Sequence, residues 1–248
     1  MTLEEILNTS VTVGYRLLTS GAEISRVEQS IQYICSAYGI TDMHIFAIPS
    51  SIVVTISDGT SALTTSRRVR RIQTNLDHME QYNELSRYIC NLKPEYEEIQ
   101  EKMYDIERRA PWGFFLQLLS HMGVAMSFCI FFGGTPADGM VAALVGAIIM
   151  LCSRFLNHVE ANSFFQNIVC SFLSAFVSRL VSSIPGLHLH SDKIIIGSIM
   201  LLVPGLALAN AMRDFISSDT MTGISRVTEA ILVAAGLAIG VAIAMMIY

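Results

Sequence analysis

The sequence predicts an α-helical membrane bundle of about five transmembrane helices, preceded by a small α+β cytoplasmic domain. Three observations carry this expectation. The chain is 52% hydrophobic and only 15% charged, with a mean hydropathy of +0.50, too apolar for an ordinary soluble fold. Its charges are unevenly placed, for residues 1–110 hold 11 of the 16 Lys/Arg and 15 of the 21 Asp/Glu. Beyond a border near Pro111, the sequence resolves into apolar runs of membrane-spanning length. The expected domains are therefore 1–110 and 111–248.

Within 1–110, Leu3, Ile6, Leu7, Val11, Gly14, Leu17 and Leu18 recur at helical spacing. Ser20 stands three residues before Glu23, the spacing of a capping box. The helix it opens places Ile24, Val27, Ile31, Ile34, Cys35 and Tyr38 on one stripe, and Gly39 stops it. From Asp42 the period shortens. Residues 43–48 and 52–57 read as strands, and Asp58-Gly59 reads as a two-residue hairpin turn into a third strand at 60–66. Leu76, Met79, Tyr82, Leu85, Ile89 and Leu92 mark a further helix; Tyr96, Ile99, Met103 and Ile106 mark another, with Pro94 in its first turn.

The expected membrane spans lie near 114–132, 137–155, 164–184, 194–210 and 224–248. A helix needs about 20 apolar residues to cross the hydrocarbon core. The fourth run is short and contains Pro204-Gly205, so it is expected to be broken. Arg108, Arg109, Arg154, Arg213 and Arg226 fall on one side of five spans, against Lys193 and Arg179 on the other. This asymmetry, with a start (Met1-Thr2-Leu3-Glu4-Glu5) that lacks a basic leader, predicts a cytoplasmic N-terminus and an outward C-terminus. Trp112 and Tyr248 sit where interfacial aromatics do. Small residues, such as Gly139, Ala142, Ala143 and Gly146, permit close helix contact in a bundle or homo-oligomer.

Several function classes are excluded. A net charge of −5 disfavours nucleic acid, whose phosphates need a basic face. Cys35, Cys90, Cys129, Cys152 and Cys170 form no CxxC pair, and no His stands at metal-ligand spacing, so neither a metal nor a cofactor is expected. Ser50, Ser51, His44 and Asp58 are the residue types of a hydrolytic triad, but they lack a nucleophile-elbow context. His121 reads as a hydrogen-bonded core histidine, and the cluster Arg154, Asn157, His158, Glu160 and Asn162 as a loop.

The most informative stretch follows Val203. Pro204 removes an amide hydrogen and Gly205 loosens the helix. Freed backbone groups in a membrane are tolerated where they are buried in protein or line a wet cavity, and interrupted helices of this kind bind substrate in transporters. Asn210, Arg213, Asp214, Asp219, Thr220, Gly223, Arg226 and Glu229 then crowd both signs of charge beside the break. Such a set suits a zwitterion or an acid, with a carboxylate as proton carrier. The competing reading is a solvated loop whose charges pair with one another.

Gly21-Ala-Glu-Ile-Ser-Arg-Val-Glu28, taken with Pro204-Gly205, Asn210, Arg213-Asp214, Asp219-Thr220, Gly223 and Arg226, resembles the threonine/serine exporter (ThrE-type) family. The likeness covers nearly the whole chain and is with the family's N-terminal half. It implies a secondary exporter of the plasma (inner) membrane for threonine and serine, or for dicarboxylates such as succinate in split versions. It also implies a small membrane subunit supplying the second half as partner. Glu23, Arg26 and Glu28 would then gate or couple from the cytoplasmic domain. The alternative is a membrane-anchored regulatory or scaffold subunit that acts through that domain.

Overall fold

The computed structural model describes residues 1–110, 112–186, 188–217 and 219–247. Pro111, where the composition places a border, and the interfacial Tyr248 lie outside the described residues. The chain forms two compact units. The first comprises Met1–Ala110 together with Asn210–Ser225; the second comprises Pro111–Ala209 and Arg226–Tyr248.

In the first unit the order is α1 (Leu3–Thr19), α2 (Ile24–Ala37), β1 (Asp42–Ile48), β2 (Ser51–Ser57), β3 (Ala62–Arg68), α3 (Leu76–Leu92) and α4 (Tyr96–Glu107). Thr2 and Glu5 form a reciprocal capping box at the start of α1. The strands make an antiparallel meander, β1-β2-β3. Its Ile52, Val54 and Ile56 face a core with Leu17, Leu18, Val27, Ile31, Ile34, Tyr82, Ile89 and Ile99, all at most 2% exposed. The apolar periodicities expected for α1 to α4 are the faces that build this core.

Three local expectations are corrected. Ser20 and Glu23 form no capping box. Ser20 is the C-cap of α1, and Glu23 is the N-cap of α2 without a side-chain cap bond, because the turn between them is already closed by backbone bonds. The hairpin after β2 has four residues, 58–61, rather than two. Asp58 Oδ1 accepts from the amides of Thr60 and Ser61, both at 2.8 Å, and this Asx turn lengthens the loop. Pro94 precedes α4 by one residue more than expected, since Glu95 is the N-cap.

The second unit contains α5 (Phe114–Phe131), α6 (Pro136–His158), α7 (Ser163–Ser182) and α8 (Ser191–Ile199). The chain passes into the first unit within α9 (Gly205–Ile216) and leaves it within α10 (Thr220–Ile247). Among the described residues four helices, α5, α6, α7 and α10, are long and apolar enough to cross a membrane. The expected fourth span, 194–210, is broken as its Pro204-Gly205 pair implies, into two short helices separated by 200–204. Pro204 donates no amide, and α8, at nine residues, is about 14 Å long. The last helix begins at Thr220 rather than 224, so Glu229 lies about two and a half turns inside it rather than about one.

Close contacts fix the directions within the second unit. A Cβ added to Gly146 of α6 would lie 2.7 Å from the His121 carbonyl, and Gly139 faces Ile130, so α5 and α6 are antiparallel. Gln166 donates to Ser153 Oγ at 2.5 Å, joining the end of α6 to the start of α7. Gly236 meets Phe164, Gly240 meets Ile168 and Ser171, and Ala244 packs with Ala175. Thus α7 and α10 run parallel. The chain between them must return to the end where α10 starts, and α8 takes the first step, beside α5 at Gly197 and Cys129.

A Cβ at Gly240 would come within 2.1 Å of Ser171 Oγ and 2.3 Å of the Ile168 carbonyl, whereas nothing lies within 4 Å of one at Gly123. Gly240→Ala should therefore destabilise the purified protein by about 1–3 kcal/mol, the usual cost of overpacking. Gly123→Ala should leave the thermal midpoint unchanged. Equal midpoints for the two variants would refute the α7–α10 contact.

Candidate functional site

The turn between α1 and α2 is built by backbone geometry. The Gly21 amide donates to the Leu18 carbonyl and the Ala22 amide to the Leu17 carbonyl, both at 3.0 Å. This is a Schellman motif, which places Gly21 in the left-handed region at φ 92°. A side chain there would be strained and would also press on Thr74, 3.3 Å away. Residues 73–75 clamp the turn from outside: Gln73 N donates to Thr19 O at 2.9 Å and Asn75 N to Ser20 O at 3.1 Å.

Onto this turn folds the segment Asn210–Ser225. Asn210 Nδ2 donates to the Gly21 carbonyl at 3.3 Å, and the Arg213 guanidinium pairs with the Glu23 carboxylate. Asp214 is 4% exposed. Asp219 caps α10: its amide donates to the Asp214 carbonyl at 2.9 Å, and its Oδ1 accepts from Thr222 N at 3.3 Å. Thr220 is the first residue of α10. Gly223 lets α9 and α10 approach, since a Cβ there would lie 2.8 Å from the Phe215 ring.

Glu28, five residues past Glu23, accepts from the Ala47 amide at 2.9 Å and so ties α2 to β1. Burial raises its pKa; the Ala47 hydrogen bond opposes this and the nearby Asp219 charge adds to it. Two motifs almost 200 residues apart in sequence thus meet in one cluster: Gly21, Glu23 and Glu28 with Asn210, Arg213, Asp214 and Asp219. Arg26 is not part of it. It is exposed and lines a groove with Leu76, Met79, Glu80 and Asn83. Arg226, 8% exposed, and Glu229, exposed, belong to the second unit, as do Pro204 and Gly205 at the helix interruption.

The hydrolase-type residues do not converge. Asp58 is committed to its turn, where those bonds lower its pKa, and His44 lies on the exposed face of β1 opposite Thr55. His121 is partly buried and bonds the Gln117 carbonyl at 2.8 Å. Arg154 stacks on Phe114 at 5.6 Å, and Asn162 caps α7.

Sequence reasoning missed two features of the second unit. Asp138 is fully buried at the start of α6 and accepts from Thr135 N, Thr135 Oγ1 and His190 N, each at 2.8 Å, and from His190 Nδ1 at 3.0 Å. Buried Ser171, Ser174 and Ser178 also line one face of α7. Their 3–4 residue spacing was the available signal.

A helical membrane protein with an interrupted segment leading into a cluster of carboxylates is built as transporters are. The family model described as "Putative threonine/serine exporter" matches residues 8–248. The chain belongs to the threonine/serine exporter family, a family of membrane transporters and not of enzymes. It is 25% identical over 245 residues to the "Threonine/serine exporter" of Corynebacterium glutamicum, covering 95% of this chain and 50% of that protein. The "Probable threonine/serine exporter" of Mycobacterium tuberculosis is 23% identical, with 97% and 46% covered. The "Probable succinate transporter subunit YjjP" of Klebsiella aerogenes is 24% identical over 230 residues, with 92% and 88% covered. The chain spans about half the length of the first two. No solved structure matches.

Because the pKa of Glu28 is raised in the folded state, its stabilising contribution is present below the ordinary carboxylate range and is lost as pH rises through the raised value. Glu28→Gln, which keeps an acceptor for Ala47, should flatten that decline. The onset of Cys35 reactivity on heating, measured from about pH 4 to 8, reads it out, since Cys35 is fully buried. An unchanged pH slope would sink this assignment.

Proposed function

We propose that this chain is a subunit of a secondary transporter that exports small carboxylated metabolites, threonine and serine or dicarboxylates such as succinate, driven by protons. The continuous segment from Pro204 to Glu229 carries the path, with Asp214, Asp219 or Glu229 as proton carriers. Glu23 and Glu28 couple the first unit to that segment. The observation behind this reading is the docking of Asn210 and Arg213 on Gly21 and Glu23, which joins the two family motifs beside the buried Asp214. Arg26 takes no part in that docking and contributes from its groove on α2 and α3, at the first unit's surface.

A small membrane subunit completes the transporter. Two observations support it: the Klebsiella aerogenes relative, 88% covered, is described as a transporter subunit, and α10 exposes Ala234, Ala235, Ala238 and Ala242, a surface on which another helix packs closely. A homo-oligomer would use the same surface. The expected location is the plasma membrane, with the N-terminus in the cytoplasm and the C-terminus outside.

In cells producing the chain together with its small membrane partner, Asp214→Asn should abolish export of succinate and threonine while the protein still inserts. Undiminished export by that variant would remove Asp214 from the path.

A further inference from the structure

The buried carboxylate of Asp138 has more donors than it needs. Thr135 N and Thr135 Oγ1 donate to its Oδ2 and His190 N donates to its Oδ1, each at 2.8 Å. Those three bonds satisfy both oxygens and already tie the start of α8 to the start of α6. The His190 ring adds a fourth bond, from Nδ1 to Asp138 Oδ2 at 3.0 Å. His190 is the N-cap of α8, yet its side chain bonds no amide of that helix and turns to α6 instead. Ionisable groups held among membrane helices are costly and mark proton relays and solute paths.

That fourth bond fixes the chemistry of the ring. An ionised carboxylate only accepts hydrogen bonds, so Nδ1 carries the proton and donates it to Asp138. In the neutral ring Nε2 is then the bare acceptor, because the bond made by one nitrogen sets the state of the other. The His190 side chain is 56% exposed whereas Asp138 is 0% exposed, so the edge of the ring away from Asp138 is the one open to water. Nε2 has no protein partner among the described residues. The other charged or titratable groups at this end are few. On α8, Asp192 and Lys193 pair with each other at 3.5 Å; α7 ends with Arg179, α5 brings the buried Cys129, and the chain before α8 brings the exposed His188. Among the described residues only Asp138 bonds the ring.

We propose that His190 Nε2 is a proton-receiving site where α6 and α8 begin, with Asp138 as its positioning residue. A hydronium ion passes its proton to Nε2 and leaves as water. The imidazolium keeps its Nδ1–H bond to Asp138, so the ring charges and discharges without leaving its place. The inference deepens the proton-driven export reading and rests on it for direction. In that reading the start of α6 faces outward, so His190 takes up protons from the side to which solute is released.

The full chain, labelled with 15N-histidine and held in nanodiscs, is titrated by NMR from about pH 8 to 5, the range in which histidine ordinarily changes charge. The His190 signals are those missing from His190→Gln. In wild type Nδ1 should stay protonated throughout while Nε2 gains a proton; in Asp138→Asn the neutral ring should show the proton shared between both nitrogens. Alongside, proteoliposomes holding the chain and its small membrane partner are loaded with labelled succinate or threonine, and the outside pH is stepped over the same range. Efflux should rise as the outside is acidified, and His190→Gln should flatten that rise. An Nε2 that takes up no proton overturns the proposal, as does a rise retained in His190→Gln. A uniform fall at every pH in that variant also overturns it, because it marks a structural latch. A wild type that exports nothing, while Nε2 titrates with Nδ1 protonated, upholds the proton site and removes the export reading.

Discussion

The close approach of α10 to α7 at Gly240 governs the arrangement of the second unit. Backbone meets backbone there because no side chain intervenes, and the successive contacts at Gly236, Gly240 and Ala244 make the two helices parallel. Parallel neighbours joined by a chain oblige that chain to come back. The returning segment cannot be a regular span, since Pro204 interrupts the hydrogen-bond ladder and leaves carbonyls that need other partners. The break is thus a consequence of sequence in a place where topology already demanded a return.

The first unit solves a different problem. Its α1–α2 turn is closed by a Schellman motif that presents the Gly21 carbonyl and the Glu23 carboxylate outward, and both are taken by one face of α9. The Arg213 side of its pair with Glu23 is open to solvent, which screens the interaction and limits its contribution to stability. Its value is positional: with the Asn210 bond it sets where Asp214 and Asp219 lie relative to Glu28. Charges that would be scattered along an open loop are gathered into one cluster, where burial raises the proton affinity of Glu28 and the nearby Asp219 charge adds to it.

Much of this was legible in the sequence. The 3.6-residue stripes of α1 to α4 and the period-2 runs of the sheet are strong local signals, and the apolar runs located α5, α6, α7 and α10 to within a few residues. Side-chain competition was not legible. Ser20 and Asp58 each had two local uses, and only the closed turn decides between them. The cluster of Glu23 with Arg213 depends on contacts almost 200 residues apart, which no spacing rule reaches, although the two motifs were each conspicuous. Asp138 and the α7 serines went unremarked because polar residues in an apolar run read as exceptions until their partners are seen.

The division at the composition border also takes on another meaning. Residues 210–225 belong to the first unit although the surrounding chain belongs to the second. The first unit is therefore discontinuous, with one of its pieces supplied as an insertion from far downstream. A cut near residue 110 does not separate two modules: it strips Gly21 and Glu23 of their partners on one fragment and leaves Asn210 and Arg213 unanswered on the other. The charged half and the apolar half of this sequence are one folding problem, and they would be inherited, swapped or lost together.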